Sequence, residues 1–418
     1  MHIDTDLRDE VASTPLEAID PSRPQTFADG SWRAWFARLR EEAPVHWCAD
    51  APTGPYWSVS THALVKAVDT DHVRFSSEIG GITIADVPED DEVRLDNFIA
   101  MDEPTHSAQR KTVSPSVAPT NLAKLEPVIR EHVVDILEHL PTGEAFNWVP
   151  QVSVELTARM LATLFDFPHE DRHKLIYWSD VTTASPELMG EAGAGREERV
   201  AAFQDCATTF MNLWNERASQ PPAPDLVSML VHGESTRDMH TRPKEFLGNI
   251  LLLIVGGNDT TRNSISAGVL ALNRQPEQYD KLRANPSLIP NMVPEFIRWQ
   301  SPVIHMRRTA REDVELGGRT IRAGDKVVMW YLSGNRDERV FPDAERVHID
   351  RPNARQHVSF GYGVHRCMGN RLAELQIRVL WEEIVRRFSQ VELVGDPVIN
   401  PNNFIHGIAD LPVVVHRH

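Results

Sequence analysis

Apolar residues along the chain recur mainly at helical spacing. Trp32, Trp35, Phe36 and Leu39 share one face behind Ser31, a residue suited to cap a helix. Regular structure is therefore expected to begin near residue 31, after a polar, proline-containing segment over 1–30. Val45 to Cys48 and Tyr56 to Val59 flank the turn Ala51 to Pro55 and predict a hairpin, with a helix through Ala63 to Val68 behind it. From Leu122 to Leu140 the positions Leu122, Leu125, Val128, Ile129, Val133, Ile136 and Leu137 keep one helical face. Further helices are expected over 151–165, 169–183 and 196–218. Pro186 to Arg196, with Gly190, Gly193 and Gly195, reads as a flexible connector of the kind that acts as a lid.

No proline interrupts the stretch between Pro243 and Pro276, which is long enough for a helix of about 48 Å. After Pro302 the pattern changes. Val314 to Leu316, Thr320-Ile321 and Val327 to Trp330 are strand-like around Gly317-Gly318, so a small sheet is expected. Helix returns from Asn370 to about Phe388, and short strands follow around Val391 to Val394 and Val413 to Val415. The expected fold class is mainly α with a minor β region, and no shift in composition marks a linker.

The chain has 418 residues, 41% of them hydrophobic, and a net charge of −17, which disfavours nucleic acid and anionic membrane as partners. No apolar run reaches 18 residues, and the N-terminus lacks a secretory pattern, so no membrane span and a cytoplasmic location are expected. Cys48, Cys206 and Cys367 lie far apart and form no CxxC pair, which argues against a disulfide framework or zinc ribbon.

Chemistry concentrates in four places. Phe360-Gly361-Tyr362-Gly363-Val364-His365-Arg366-Cys367-Met368-Gly369 leads into an amphipathic helix. Its glycines permit tight turning and let a flat object lie against the loop, and a thiolate at its end can be stabilised by loop N–H groups and the helix N-terminus. Gly256-Gly257-Asn258-Asp259-Thr260-Thr261 sits mid-helix, where two glycines weaken the helix by about 1 kcal/mol each relative to alanine. Glu295 and Arg298 stand three apart in Pro294-Glu295-Phe296-Ile297-Arg298-Trp299, and His106 and Arg110 stand four apart on one helical face. An isolated pair of either kind would be an ordinary surface feature.

Together, and in this order, the four motifs resemble those of the cytochrome P450 superfamily over nearly the whole chain. The resemblance implies a cytochrome P450 fold with a single haem domain over 31–418, haem b as cofactor, and O2 as co-substrate. It makes Cys367 the proximal ligand of the haem iron, with Phe360 shielding the sulfur side of the ring and Gly256 and Gly369 leaving room for it. Asp259 and Thr260 match the acid–alcohol pair that delivers protons to dioxygen. Glu295 and Arg298 match a structural ExxR, expected to tie its helix to Phe341–Arg351. His106, Arg110, Arg308 and His365 are assigned to the two haem propionates, with Arg307 beside Arg308 leaving a one-residue ambiguity.

A narrower resemblance is carried by Val152–Thr183 with its Leu164-Phe165-Asp166-Phe167-Pro168, Val255–Ser264, His305–Ala310 and Asn403–Gly407. These stretches are similar to bacterial soluble alkane and fatty-acid terminal hydroxylases, which implies medium-chain aliphatic substrates. It also implies electrons from a ferredoxin with its NAD(P)H-dependent reductase. The chain shows no flavin- or nicotinamide-binding fingerprint of its own. Ile82, Ile84, Leu252, Val255, Val303, Ile304 and Phe404 are the expected substrate pocket, and Arg366, Arg371, Arg378 and Lys111 an expected basic docking patch. The alternatives are a hydroxylase of terpenoid, sterol or secondary-metabolite substrates and, from a different class, a haem-binding sensor or carrier.

Overall fold

The computed structural model of the protein describes residues 5–87, 91, 93–189 and 193–418. Regular structure begins well before residue 31. Helices Thr5–Ser13 and Pro24–Asp29 precede the helix Trp32–Glu42, and Ile19 and Phe27 are buried against Trp32, Phe36 and Trp330. Too few apolar residues mark this segment for periodicity to expose it. Specific bonds hold it instead: His46 Nε2 lies 3.0 Å from the Ile19 carbonyl and Tyr56 donates to Asp20 at 2.8 Å.

The hairpin Val45–Cys48 and Tyr56–Val59 forms with Val45 opposite Val59. It extends into a five-stranded sheet ordered 45–48, 56–59, 326–330, 305–310 and 75–76, in which only the Tyr56–Val59 to Lys326–Trp330 pairing is parallel. The remaining strands form smaller sheets, including Phe388–Leu393 paired with Pro412–Arg417. The rest is a helical layer built round the long helix Pro243–Arg274, which packs on Glu155–Phe165, His173–Thr183, Ile289–Gln300 and Asn370–Arg387. No helix among the described residues is long and apolar enough to cross a membrane.

The long helix runs unbroken through Gly256-Gly257. The two glycines differ in surroundings. A Cβ at Gly257 would stand 2.7 Å from Leu161 Cδ2, so this glycine admits a packed side chain from the neighbouring helix. A Cβ at Gly256 would meet nothing within 4 Å, because this position faces the central cavity. Of the connector Pro186–Arg196, Pro186–Met189 is a short helix; Gly190 lies outside the described residues. Leu188 packs with Val303, Met306, Phe404 and Ile405, so this short helix rests on the cavity wall.

Candidate active site

A cavity of about 770 Å³ lies between the long helix and the cysteine loop. Helix geometry decides what the long helix presents to it. Gly248, Leu252, Gly256, Thr260 and Ser264 follow one another at intervals of four and line one wall. Thr260 Oγ1 donates to the Gly256 carbonyl at 3.2 Å and remains accessible from the cavity.

Asp259, one position earlier, is turned away and wholly buried. Its carboxylate accepts from Thr183 Oγ1 at 3.1 Å and Asn258 Nδ2 at 3.0 Å, and lies 2.9 Å from Arg262, which also pairs with Asp180. Burial pushes this carboxyl above the ordinary carboxylate range; Arg262 opposes the shift and Asp180 adds to it. Acid and alcohol are thus helix neighbours facing different environments.

The opposite wall is the loop before helix Asn370–Arg387. Gly361 and Gly363 adopt φ of 64° and 68°, the left-handed region that glycine enters without steric cost. A Cβ at Gly363 would lie 2.8 Å from the Asp69 carbonyl oxygen. The turn is closed by Cys367 N–H donating to the Phe360 carbonyl at 2.7 Å. Cys48 and Cys206 are sealed in the core, whereas Cys367 opens onto the cavity. Dense surroundings raise its thiol pKa, opposed by the N–H groups of Gly369 and Asn370 and by the charges of Arg110 and Arg366.

Arg308 lines the cavity and Arg307 does not, as alternation along the strand requires. Arg308 is paired with buried Asp69 at 2.9 Å, while Arg307 turns outward to Asp86. Arg110 and His365 also line the cavity. His106 does not. Its ring nitrogens face the carbonyls of Phe98 at 2.6 Å and Val364 at 3.0 Å, and its ring centroid lies 4.0 Å from that of His365, tilted by 49°. Both nitrogens thus have carbonyl partners, and the ring backs that of His365.

Two pocket expectations are corrected. Ile84 and Ile304 are wholly buried with Phe36, Trp330 and Leu332 on the far side of the sheet, because their neighbours occupy the cavity side. Ile82, Leu252, Val255, Val303 and Phe404 line the cavity as expected, together with Leu188, Leu251, Met306 and Thr183, which the sequence did not single out. Arg94, Arg199 and Glu245 border it as well. Asp69 was also missed. It accepts from Arg308, from Tyr331 Oη at 3.1 Å and from the Tyr362 N–H at 2.6 Å, and the only signal was its place after Val65 and Val68 on a buried helical face.

Glu295 and Arg298 are both wholly buried and joined by two bonds of 2.7 and 2.8 Å. Arg298 also donates to the carbonyls of Asn335, Ala344 and Arg346, while Glu295 accepts from Arg351 and the His348 N–H. The guanidinium therefore clamps its helix to the chain that leads to the cysteine loop, as the resemblance implied.

These surroundings fit a haem b. Gly256 and Gly369 both leave open space where a Cβ would stand, Cys367 offers sulfur at the cavity, and Phe360 lines it beside the loop. Arg308 and Arg110 bring positive charge close to His365, whose Nδ1 is buried without a partner among the described residues. An anionic acceptor at this edge would satisfy all three, and propionates have that chemistry. Taken together, fold and site define a haem-thiolate protein.

The sequence pattern described as Cytochrome P450 matches residues 160–409. The solved structure of CYP153D17 from Sphingomonas sp. PAMC 26605 is similar, with 48% identity, a TM-score of 0.89, and coverage of 95% of this chain and 99% of that one. Linalool 8-monooxygenase from Pseudomonas putida is 36% identical over 96% of this chain and 99% of its own. A methyl-branched lipid omega-hydroxylase from Mycobacterium bovis is 33% identical over 90% of each chain. The chain belongs to the cytochrome P450 family. It is a monooxygenase that uses haem b and O2.

Proposed function

We propose that this enzyme inserts one oxygen atom of O2 into the terminal C–H bond of a medium-chain alkane or fatty acid, as a cytoplasmic protein. Its electrons come from a ferredoxin with its NAD(P)H-dependent reductase. The observation that carries the reading is the apolar lining of Ile82, Leu252, Val255, Val303 and Phe404, contributed by four separate parts of the chain to the cavity that Cys367 enters. Similarity to a structure of the 153 subgroup and to a lipid omega-hydroxylase supports it.

When bound, the haem would supply oxygen activation, with the Cys367 thiolate as the residue that would hold its iron. The chain's own residues do the rest. Arg110, Arg308 and His365 hold the propionates, and His106 keeps the His365 ring in place. Asp259 takes up a proton at its carboxylate, and Thr260 Oγ1 passes it into the cavity through water. The apolar walls exclude bulk water and orient the chain. Each buried methylene contributes about 0.8 kcal/mol, so affinity rises along a homologous series until the substrate outgrows the cavity. A terminal C–H bond is stronger than an internal one, so terminal attack requires an approach that admits only the chain end. Branched Val255 and Val303 provide that constriction.

Incubation with n-alkanes of graded length, a free fatty acid and a cyclic terpene, using a surrogate ferredoxin system, tests the reading by product chromatography. Terminal alcohols from the linear substrates are expected. Predominantly internal alcohols, or turnover of the terpene alone, would overturn the substrate assignment.

A further inference from the structure

We infer that His305 is a positioning residue that sets the width of the substrate cavity by fastening three separate wall segments to one another. It opens the strand His305–Ala310, in which Met306 and Arg308 face the cavity and the His305 ring faces away. The ring is wholly buried. Nδ1 lies 2.7 Å from the Asn403 carbonyl oxygen and Nε2 lies 3.1 Å from the Ile84 backbone nitrogen. A carbonyl only accepts and a backbone N–H only donates, so Nδ1 carries the proton and Nε2 accepts. Burial pushes the imidazole down to about 4, which keeps this neutral tautomer in place at ordinary pH.

Each of the three segments meeting at His305 carries cavity-lining residues. Ile82 and Ala85 flank Ile84, Val303 and Met306 flank His305 in its own segment, and Phe404 and Ile405 follow Asn403. Backbone bonds join the segments pairwise: Arg307 N–H donates to the Ile82 carbonyl and Ile304 N–H to the Phe404 carbonyl, both at 2.8 Å. The imidazole binds both outer segments at once. Its ring also stands edge-on to Phe404 at 5.4 Å and to Trp330 at 5.2 Å, which fixes Phe404 relative to the sheet. An apolar side chain at 305 would leave the Ile84 N–H and the Asn403 carbonyl unpaired, and the two walls would then re-pair at a different separation. The reacting position on a linear substrate depends on that separation.

The inference rests on substrate occupying this cavity, and not on which substrate does. The test compares holoproteins of the wild type, His305→Leu and His305→Gln with decane and decanoic acid, reading the positions hydroxylated and the substrate-induced spin-state titration. The thiolate band of the reduced carbon monoxide complex serves as the check on the haem site. In His305→Leu that band should persist, while the ratio of internal to terminal alcohol moves from the wild-type value by roughly threefold or more, since small misplacements alter reactivity steeply. His305→Gln, which keeps one donor and one acceptor, should return most of the way. Unchanged ratios and affinities in His305→Leu would overturn the inference. Should His305→Leu yield no haem protein, His305→Asn, too short to reach both partners, takes its place, and an unchanged ratio there overturns it equally. A wild type that attacks chiefly internal carbons contradicts the proposed function alone, because displacement of that ratio by the variants still supports the role of His305.

Discussion

Asp259 and Thr260 are adjacent in sequence, yet one is sealed behind the long helix by Thr183, Asn258 and Arg262 while the other lines the cavity. The turn of about 100° per residue that separates neighbours on a helix gives them different tasks. Thr260→Ala should still bind substrate and accept electrons but lose coupling, with reductant consumed into peroxide and less product formed. Asp259→Asn should mainly slow turnover, by roughly a hundredfold or more, the range contributed by a positioned proton donor. Peroxide and product assays under single-substrate conditions measure both, and full coupling in Thr260→Ala would remove its assigned role. The same scale marks what a single chain discloses. Cys367, Arg110, His365 and Thr260, singled out through the family resemblance, all line the cavity. The facing of Ile84 and Ile304 was not legible, because apolar character does not say on which face of a strand or loop a side chain falls. His305 and Asp69 were missed because their value lies in partners remote in sequence, at Asn403 and Arg308.

Elements with strong periodicity appeared where expected: the helix Arg196–Ala218, the hairpin strands and the 32-residue long helix are all present. Elements stabilised by specific bonds with few apolar positions, such as the helices before residue 31, left little trace in the pattern. The Glu295–Arg298 clamp shows why an i, i+3 pair can be far more than a surface ion pair. Its two side chains are wholly buried, and Arg298 serves a carboxylate and three carbonyls at once. Removing one partner leaves an uncompensated charge and unpaired carbonyls, so Arg298→Ala should destabilise the fold by about 3–5 kcal/mol. Arg298→Lys should not rescue it, since an ammonium cannot reproduce the guanidinium fork. Urea titration of the purified variants measures this, and wild-type midpoints for both would contradict the clamp.

Across the whole molecule, a net charge of −17 coexists with local positive charge near the cysteine loop. Arg366, Arg371 and Lys111 are exposed. Arg378 is not available in the way the sequence suggested, because Glu126 and Glu382 hold it at 2.9 and 2.8 Å. The docking surface proposed for an acidic ferredoxin therefore centres on the first three residues. Arg366→Glu combined with Arg371→Glu should slow first-electron transfer severalfold at low salt, with the difference shrinking as salt is added. Stopped-flow reduction of the holoprotein reads this directly, and equal rates at low salt would count against the surface. Arg378→Glu should have a smaller effect.

Cys367 as the proximal ligand is tested most directly by the spectrum of the reduced carbon monoxide complex in three variants. Cys48→Ser and Cys206→Ser should keep the red-shifted Soret band of thiolate ligation, since both thiols are buried in the core away from the cavity. Cys367→His should retain haem and lose that band. Its persistence in Cys367→His would contradict the assignment of the site.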